Sequence, residues 1–284
     1  MVAGSMVLPT IACNSEKSTT EETVEEDVME VKNRIGVQIY SVRNQLREDF
    51  LGTINKLAEI GYSTIENYSL GVDGIYHGKY SPAEMKKIID DSGMEMISTH
   101  CGYFDASDAE AMLEHAKASG LTYLVVPSLP GDLTESADTY KAVAENFNKV
   151  GEVFKGSGVQ FGYHNHAFEF EMRGEELAYD ILLKNTDPEL VTFQADLYWV
   201  TRGGQDPMEL LKANPGRFSS FHVKDSNEDL EQTTVGTGII DFKSLISARD
   251  VSGMKDYFVE DEREDDPIGN LTAAFNYLNG KDWA

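Results

Sequence analysis

The sequence is short of cysteine, of basic residues and of long apolar runs, and each shortage removes a class of function. Of 284 residues only two are cysteine, Cys13 and Cys101. Two thiols cannot build a disulfide framework or a cysteine zinc site. Lys and Arg total 24 against 49 Asp and Glu, a formal net charge of −25. The basic residues are scattered singly. Nucleic acid and an anionic membrane surface are therefore disfavoured as partners, because both demand a basic face. No stretch approaches the ~20 apolar residues of a membrane-spanning helix. The 41% hydrophobic and 26% charged residues are ordinary for a globular domain, which excludes collagen, coiled coil and disorder of the whole chain.

Residues 1–34 differ from the rest. Met1–Cys13 is small and apolar, and Asn14–Val31 is rich in Ser, Thr and Glu. The second stretch cannot bury enough apolar area to offset its ordering entropy, so it reads as a disordered, flexible tether ahead of a domain over 35–284. Ile11-Ala12-Cys13 resembles the end of a bacterial lipoprotein signal peptide, although no Lys or Arg precedes the apolar run. That resemblance implies an extracytoplasmic or periplasmic protein touching the membrane only through a lipid on Cys13. The alternative is a cytoplasmic chain with a chance cysteine.

From Ile35 onward, eight short β-rich runs alternate with helical patterns. The runs are Ile35–Tyr40, Ser63–Asn67, Glu95–His100, Tyr123–Pro127, Val159–His164, Val191–Asp196, Phe218–Val223 and Asp256–Asp261. Most lack strict polar alternation, as strands buried on both faces do. Helix signals lie between them, at Asp49–Ile60, Ser81–Asp91, Ala106–Ser119, Thr134–Gly156, Gly174–Asn185, Asp206–Asn214, Phe242–Ala248 and Pro267–Leu278. Eight βα units in about 245 residues predict an α/β fold, a single (β/α)8 TIM barrel. The rival doubly wound sheet would carry a glycine-rich loop after its first strand. Gln38-Ile39-Tyr40-Ser41-Val42-Arg43 stands there instead.

Such barrels place their chemistry at the C-terminal strand ends. Four of the six histidines fall there: His100, His164, His166 and His222. His164 and His166 are two apart, so both point to one side. Carboxylates join them at Glu66, Asp196 and Glu260. Imidazoles mixed with carboxylates suit a divalent cation (Mn²⁺, Co²⁺, Zn²⁺ or Mg²⁺). The expected ligands are Asp196, His222 and Glu260 with one or two groups from strand five, His164 or Glu169. Lys224 shares a side with His222 and faces either a substrate oxyanion or, in the bland alternative, Asp225. Gln38, Tyr40, Glu66 and Trp199 are read as substrate-binding, and Cys101 as a packing residue. Gly236-Thr237-Gly238 reads as a tight loop near the mouth.

These segments resemble the xylose-isomerase-like barrels of sugar isomerases and epimerases. Gly36–Arg43, Gly162–Phe170, Asp196–Trp199 and Phe221–Asp225 carry the likeness, which spans Ile35 to about Leu278. It implies a metal held by residues of strands five to eight, and Asp196, His222 and Glu260 match three of them. At the fourth, strand five offers His164 where the family has Glu, and Glu169 follows five residues later. The family's epimerases exchange a proton between two carboxylates beside a carbonyl. Replacing one by His164 points to abstraction followed by β-elimination, as in the inosose dehydratases, which are also similar. The expected substrate is a small keto-sugar or keto-glycoside, with His166 or His164 as base and Glu169 or His100 near the leaving group. No strand-end arginine cluster is present to hold a phosphate. A surface sugar-binding protein without catalysis and an abasic-site endonuclease are the alternatives, the second disfavoured by charge.

Overall fold

The computed structural model describes residues 1, 2, 34–281 and 283. The expected tether, with Cys13, falls almost wholly on residues 3–33 and so lies outside the described residues. The barrel unit begins at Arg34. Its strands are β1 (Gly36–Gln38), β2 (Thr64–Leu70), β3 (Glu95–Cys101), β4 (Tyr123–Val126), β5 (Gln160–His164), β6 (Val191–Asp196), β7 (Phe218–Val223) and β8 (Asp256–Val259). All pair in parallel with their sequence neighbours, and β1 pairs with both β2 and β8, which closes a single (β/α)8 barrel. Among the described residues no helix is long and apolar enough to cross a membrane.

Local chemistry starts the helices where the sequence says. Ser81 and Glu84 form a reciprocal capping box, with Pro82 in the first turn. Asp49, Asp206, Asp241 and Asp266 each accept a backbone N–H of the first turn. Such caps are worth about 1 kcal/mol each. The helix Ala137–Phe154 buries Tyr140, Val143, Ala144, Phe147, Val150, Gly151 and Phe154, a stripe at helical spacing.

Two expectations need correction, and two short helices add to them. The helix expected from Gly174 begins only at Ala178, because Met172–Arg173 and Glu176–Leu177 pair as a hairpin around Gly174, whose φ is 77°. Strand β8 stops at Val259 rather than Asp261. The Asp261 N–H leaves the ladder for Ser41 Oγ. Short helices at Arg43–Glu48 and Leu197–Arg202 were not anticipated, being too brief to show a period.

Closure brings β1 very near its neighbours. A Cβ on Gly36 would lie 2.6 Å from Phe258 Cδ1 and from the Tyr257 carbonyl oxygen, and 2.8 Å from Thr64 Oγ1. Gly36→Ala is therefore expected to lower the thermal unfolding midpoint, at a cost of roughly 1–3 kcal/mol. Gly131→Ala, at a position with open space around it, serves as the near-neutral control.

Candidate active site

Polar residues inside the barrel form two joined clusters. The inner one centres on Glu66, which is fully buried. Its Oε1 accepts from Gln38 Nε2 at 2.8 Å and from His222 Nε2 at 2.5 Å. Its Oε2 accepts from Ser98 Oγ at 2.6 Å and from Gln194 Nε2 at 2.7 Å. Burial opposes its charge, but the imidazoles of His100 and His222 and the bonds from His222 and Ser98 prevail, holding its carboxyl at about 2. Gln194 also receives His100 Nε2–H on its Oε1 at 2.8 Å. Gln38 and Glu66 were expected to touch substrate. Instead they are spent on each other in the barrel interior.

The outer cluster is His164, Asp196, His222 and Glu260, all buried, with one ligand atom from each within 4.8 Å of the others. Asp196 divides its carboxylate. Oδ1 caps the helix Leu197–Arg202 by accepting the Trp199 N–H at 2.8 Å. Oδ2 is buried without a hydrogen-bond partner, as is His164 Nε2, and the two stand 3.5 Å apart. His222 joins the clusters: its Nδ1 faces Glu260 Oε2 at 3.1 Å and Asp196 Oδ2 at 3.6 Å, while its Nε2 faces Glu66. Carboxylates only accept, so both ring nitrogens carry protons. Burial works against that charge, yet Glu260 and Glu66 lift the His222 pKa well above its ordinary value.

Lys224 is fully buried and supplies the remaining positive charge. Its Nζ reaches Glu262 at 2.5 Å, Glu260 at 3.3 Å and Asp196 at 3.9 Å. The alternative pairing with Asp225 does not form. That carboxylate instead accepts the N–H groups of Ser226, Gly236, Gly238 and Ile240 and pins the tight Gly236–Gly238 loop.

A cavity of about 450 Å³ opens over this floor, lined by His100, His164, His166, Glu260 and Glu262 with Tyr40, Tyr68, Ser69, Gly102, Pro127 and Ser128. His166 offers it a buried Nδ1 without a partner, and burial holds its pKa at about 3, so the ring is neutral. Trp199 stands against His166 at 5.4 Å and against Lys224 Nζ at 4.8 Å. Glu169, an expected ligand, does not join the outer cluster. Both its oxygens are occupied, by Tyr163 OH at 2.5 Å and by the His166 N–H at 2.9 Å. It therefore positions His166, and burial raises its pKa to about 7. Cys101 packs, its thiol pushed up by burial.

Sequence reading missed Ser98, Gln194 and Ser220, the last bonded to Gln194 Nε2 at 3.2 Å. A signal existed. Each sits two residues ahead of a strand-end candidate (His100, Asp196 and His222), and a polar residue at that spacing shares the candidate's face. Tyr68 and Ser69 carried no such signal.

The chain matches the xylose isomerase-like TIM barrel family over residues 54–280. It belongs to that family. Inosose dehydratase of Clostridium perfringens is 25% identical over 190 residues, which are 60% of this chain and 63% of that protein. Inosose dehydratase of Geobacillus thermodenitrificans is 26% identical over 47% of this chain and 50% of its own. The chain thus spans about half to two-thirds of these curated relatives. A sugar phosphate isomerase/epimerase from Parabacteroides distasonis shares the fold at a TM-score of 0.79, with 28% identity over 89% of this chain and 95% of that one.

The outer cluster fits the divalent cation that this family's chemistry implies. Two imidazoles and two carboxylates converge there, and two of their ligand atoms are buried with no other partner. Glu66 behind His222 is the carboxylate that orients a ligating imidazole. A cation taking the Nδ1 side of His222 displaces its proton, so titration with Mn²⁺ at pH 7 in buffers of different ionisation enthalpy is expected to show about one proton released per ion. Glu66→Gln is expected to weaken Mn²⁺ binding by about 10–100-fold.

The metal-free protein is expected to lose stability in acid. His100 is held neutral by burial, its pKa at about 4 rather than 6.5, and His166 likewise at about 3. As pH falls below 6.5 the unfolded chain binds these protons first, so stability falls toward pH 4. Glu66, lowered from 4.5 to about 2, adds a loss below pH 4.5. His222 does not contribute to this fall, because its raised pKa keeps its stabilisation full below 6.5. Urea midpoints measured from pH 7 to 4 should decline, and His100→Gln should flatten the slope.

Proposed function

We propose that this protein is a divalent-metal-dependent enzyme acting on an unphosphorylated keto-sugar, removing a proton beside the carbonyl and expelling a β-leaving group. One observation carries this reading: two buried, partnerless ligand atoms, His164 Nε2 and Asp196 Oδ2, share a site with the neutral, partnerless Nδ1 of His166. The inosose dehydratase relatives and the isomerase/epimerase neighbour support the reaction class.

A cation held by His164, Asp196, His222 and Glu260 would polarise the substrate carbonyl. His166 is the base. Its ring is neutral, so Nδ1 can accept the α-proton. Glu169 holds the His166 backbone in place while this happens. His166, protonated by that step, returns the proton to the leaving group, while His100, whose one N–H is spent on Gln194, lines the same cavity. Lys224 balances the carboxylates and keeps positive charge near the developing oxyanion.

Elimination is favoured over two-carboxylate epimerisation by the disposition of the acids. Among the described cavity-lining residues only Glu260 and Glu262 are carboxylates, and both are engaged by Lys224. No lysine or arginine is among those residues, which favours an unphosphorylated substrate, a keto-cyclitol or 3-keto-glycoside.

Proton NMR in D₂O with the Mn²⁺-loaded protein, read after the metal is chelated, tests this directly. Loss of the signal beside the ketone of scyllo-inosose or a 3-keto-glucoside is expected, with elimination product in the same tube. His166→Gln should slow it by about 10²–10⁴-fold. Absence of both exchange and product on either ketone would overturn the reading.

A further inference from the structure

Beside its imidazoles and carboxylates, the cavity wall carries two tyrosines, Tyr40 and Tyr68, with Ser69. This aromatic wall is built at a conformational cost. Ser69 and His77 both adopt left-handed backbone, with φ of 67° and 52°, though neither is glycine. Such residues are strained and gather at ligand clamps. The ladder between β2 and β3 loses register between Asn67 and Leu70, around Tyr68 and Ser69.

A side-chain clamp holds this shape. Ser69 Oγ accepts the His77 N–H at 3.1 Å and lies 3.1 Å from His77 Nδ1. His77 Nε2 reaches Asn67 Oδ1 at 2.9 Å, and the same oxygen accepts the Tyr68 N–H at 2.7 Å. Both neighbours of Tyr68 are thus tied to one histidine. The His77 ring also meets the Tyr68 ring edge-on at 4.7 Å. Tyr40 meets Tyr68 edge-on at 5.2 Å, with the Arg43 guanidinium 4.7 Å from its centroid and its N–H bonded to Gln38 Oε1. Tyr40 nevertheless stays 39% exposed. The outcome of the strain and the clamp is two tyrosines held at fixed angles on the wall of the reaction cavity.

We propose that Tyr68 and Tyr40 form a second-ring subsite, a platform for an uncharged ring joined by a glycosidic bond to the sugar that reacts. This rests on the function proposed above and narrows its substrate to a two-ring keto-glycoside. A ring with an apolar face stacks on such a platform.

The test compares kcat/KM of the Mn²⁺-loaded full chain for 3-keto-cellobiose and phenyl 3-keto-glucoside with that for the single-ring ketone scyllo-inosose. Tyr68→Ala should lower the two-ring to one-ring ratio about tenfold through KM, and Tyr68→Phe should keep it. His77→Ala, which opens the clamp without removing the ring, should lower the same ratio, a split that general misfolding would not produce. A greater loss for cellobiose or for the phenyl glycoside identifies the ring as sugar or aryl. An unchanged ratio in both Tyr68→Ala and His77→Ala overturns the subsite. If the wild type transforms none of the three ketones, the proposed reaction fails, and calorimetry with cellobiose and glucose then decides the platform alone. Tighter cellobiose binding that Tyr68→Ala abolishes supports it, and equal binding overturns it.

Discussion

A carboxylate sealed inside a barrel is an expensive object, and this molecule is arranged around one. Stripping water from Glu66 costs several kcal/mol unless its oxygens are fully bonded. Four donors from four different strands, β1, β3, β6 and β7, meet that demand. None of them can move without leaving a buried charge short of a partner. Relative strand positions are therefore tied at the level of the Glu66 side chain, just where the chemistry begins.

The consequence passes outward through His222. With Nε2 committed to Glu66, its Nδ1 is aimed at Asp196 and Glu260. Asp196 is itself committed on one oxygen to the helix Leu197–Arg202, which leaves the other turned toward His164. Each residue of the outer cluster thus has one side anchored in the scaffold and one side facing its partners. Lys224 supplies the charge that lets these acids stay ionised out of water. Pre-set geometry of this kind spares a ligand the cost of reorganising the site.

Surrounding loops divide into pinned and strained ones. Asp225 pins the loop after β7 with four backbone hydrogen bonds. Gln232 ties that loop to the one after β8 by donating to Asp261 and accepting the Glu262 N–H. The loop after β2 is different, because it holds left-handed Ser69 and His77 beside the cavity. Rigid support under the reacting groups and a shaped wall beside them are what a site selecting among ring systems needs.

Much of this was legible from residues alone. The strand runs of β6 and β7 match end to end, since apolar runs and capping residues are local signals that tertiary context seldom overrides. Strand ends in a barrel gather at one face, so His100, His164, His222, Asp196 and Glu260 could be listed before they were seen together. What the sequence could not decide was the division of labour among them. Glu66 and Glu260 look alike at the ends of their strands, yet one is enclosed by four donors and the other faces the cavity. Glu169 looked like a ligand, but Tyr163 and the His166 backbone take both its oxygens. Those outcomes depend on which residues meet after closure, such as Glu66 and His222, 156 positions apart. Periodicity and capping act over a few residues and determined the elements of this protein from its sequence. Side-chain partnership acts across the barrel, and only the tertiary structure decided it.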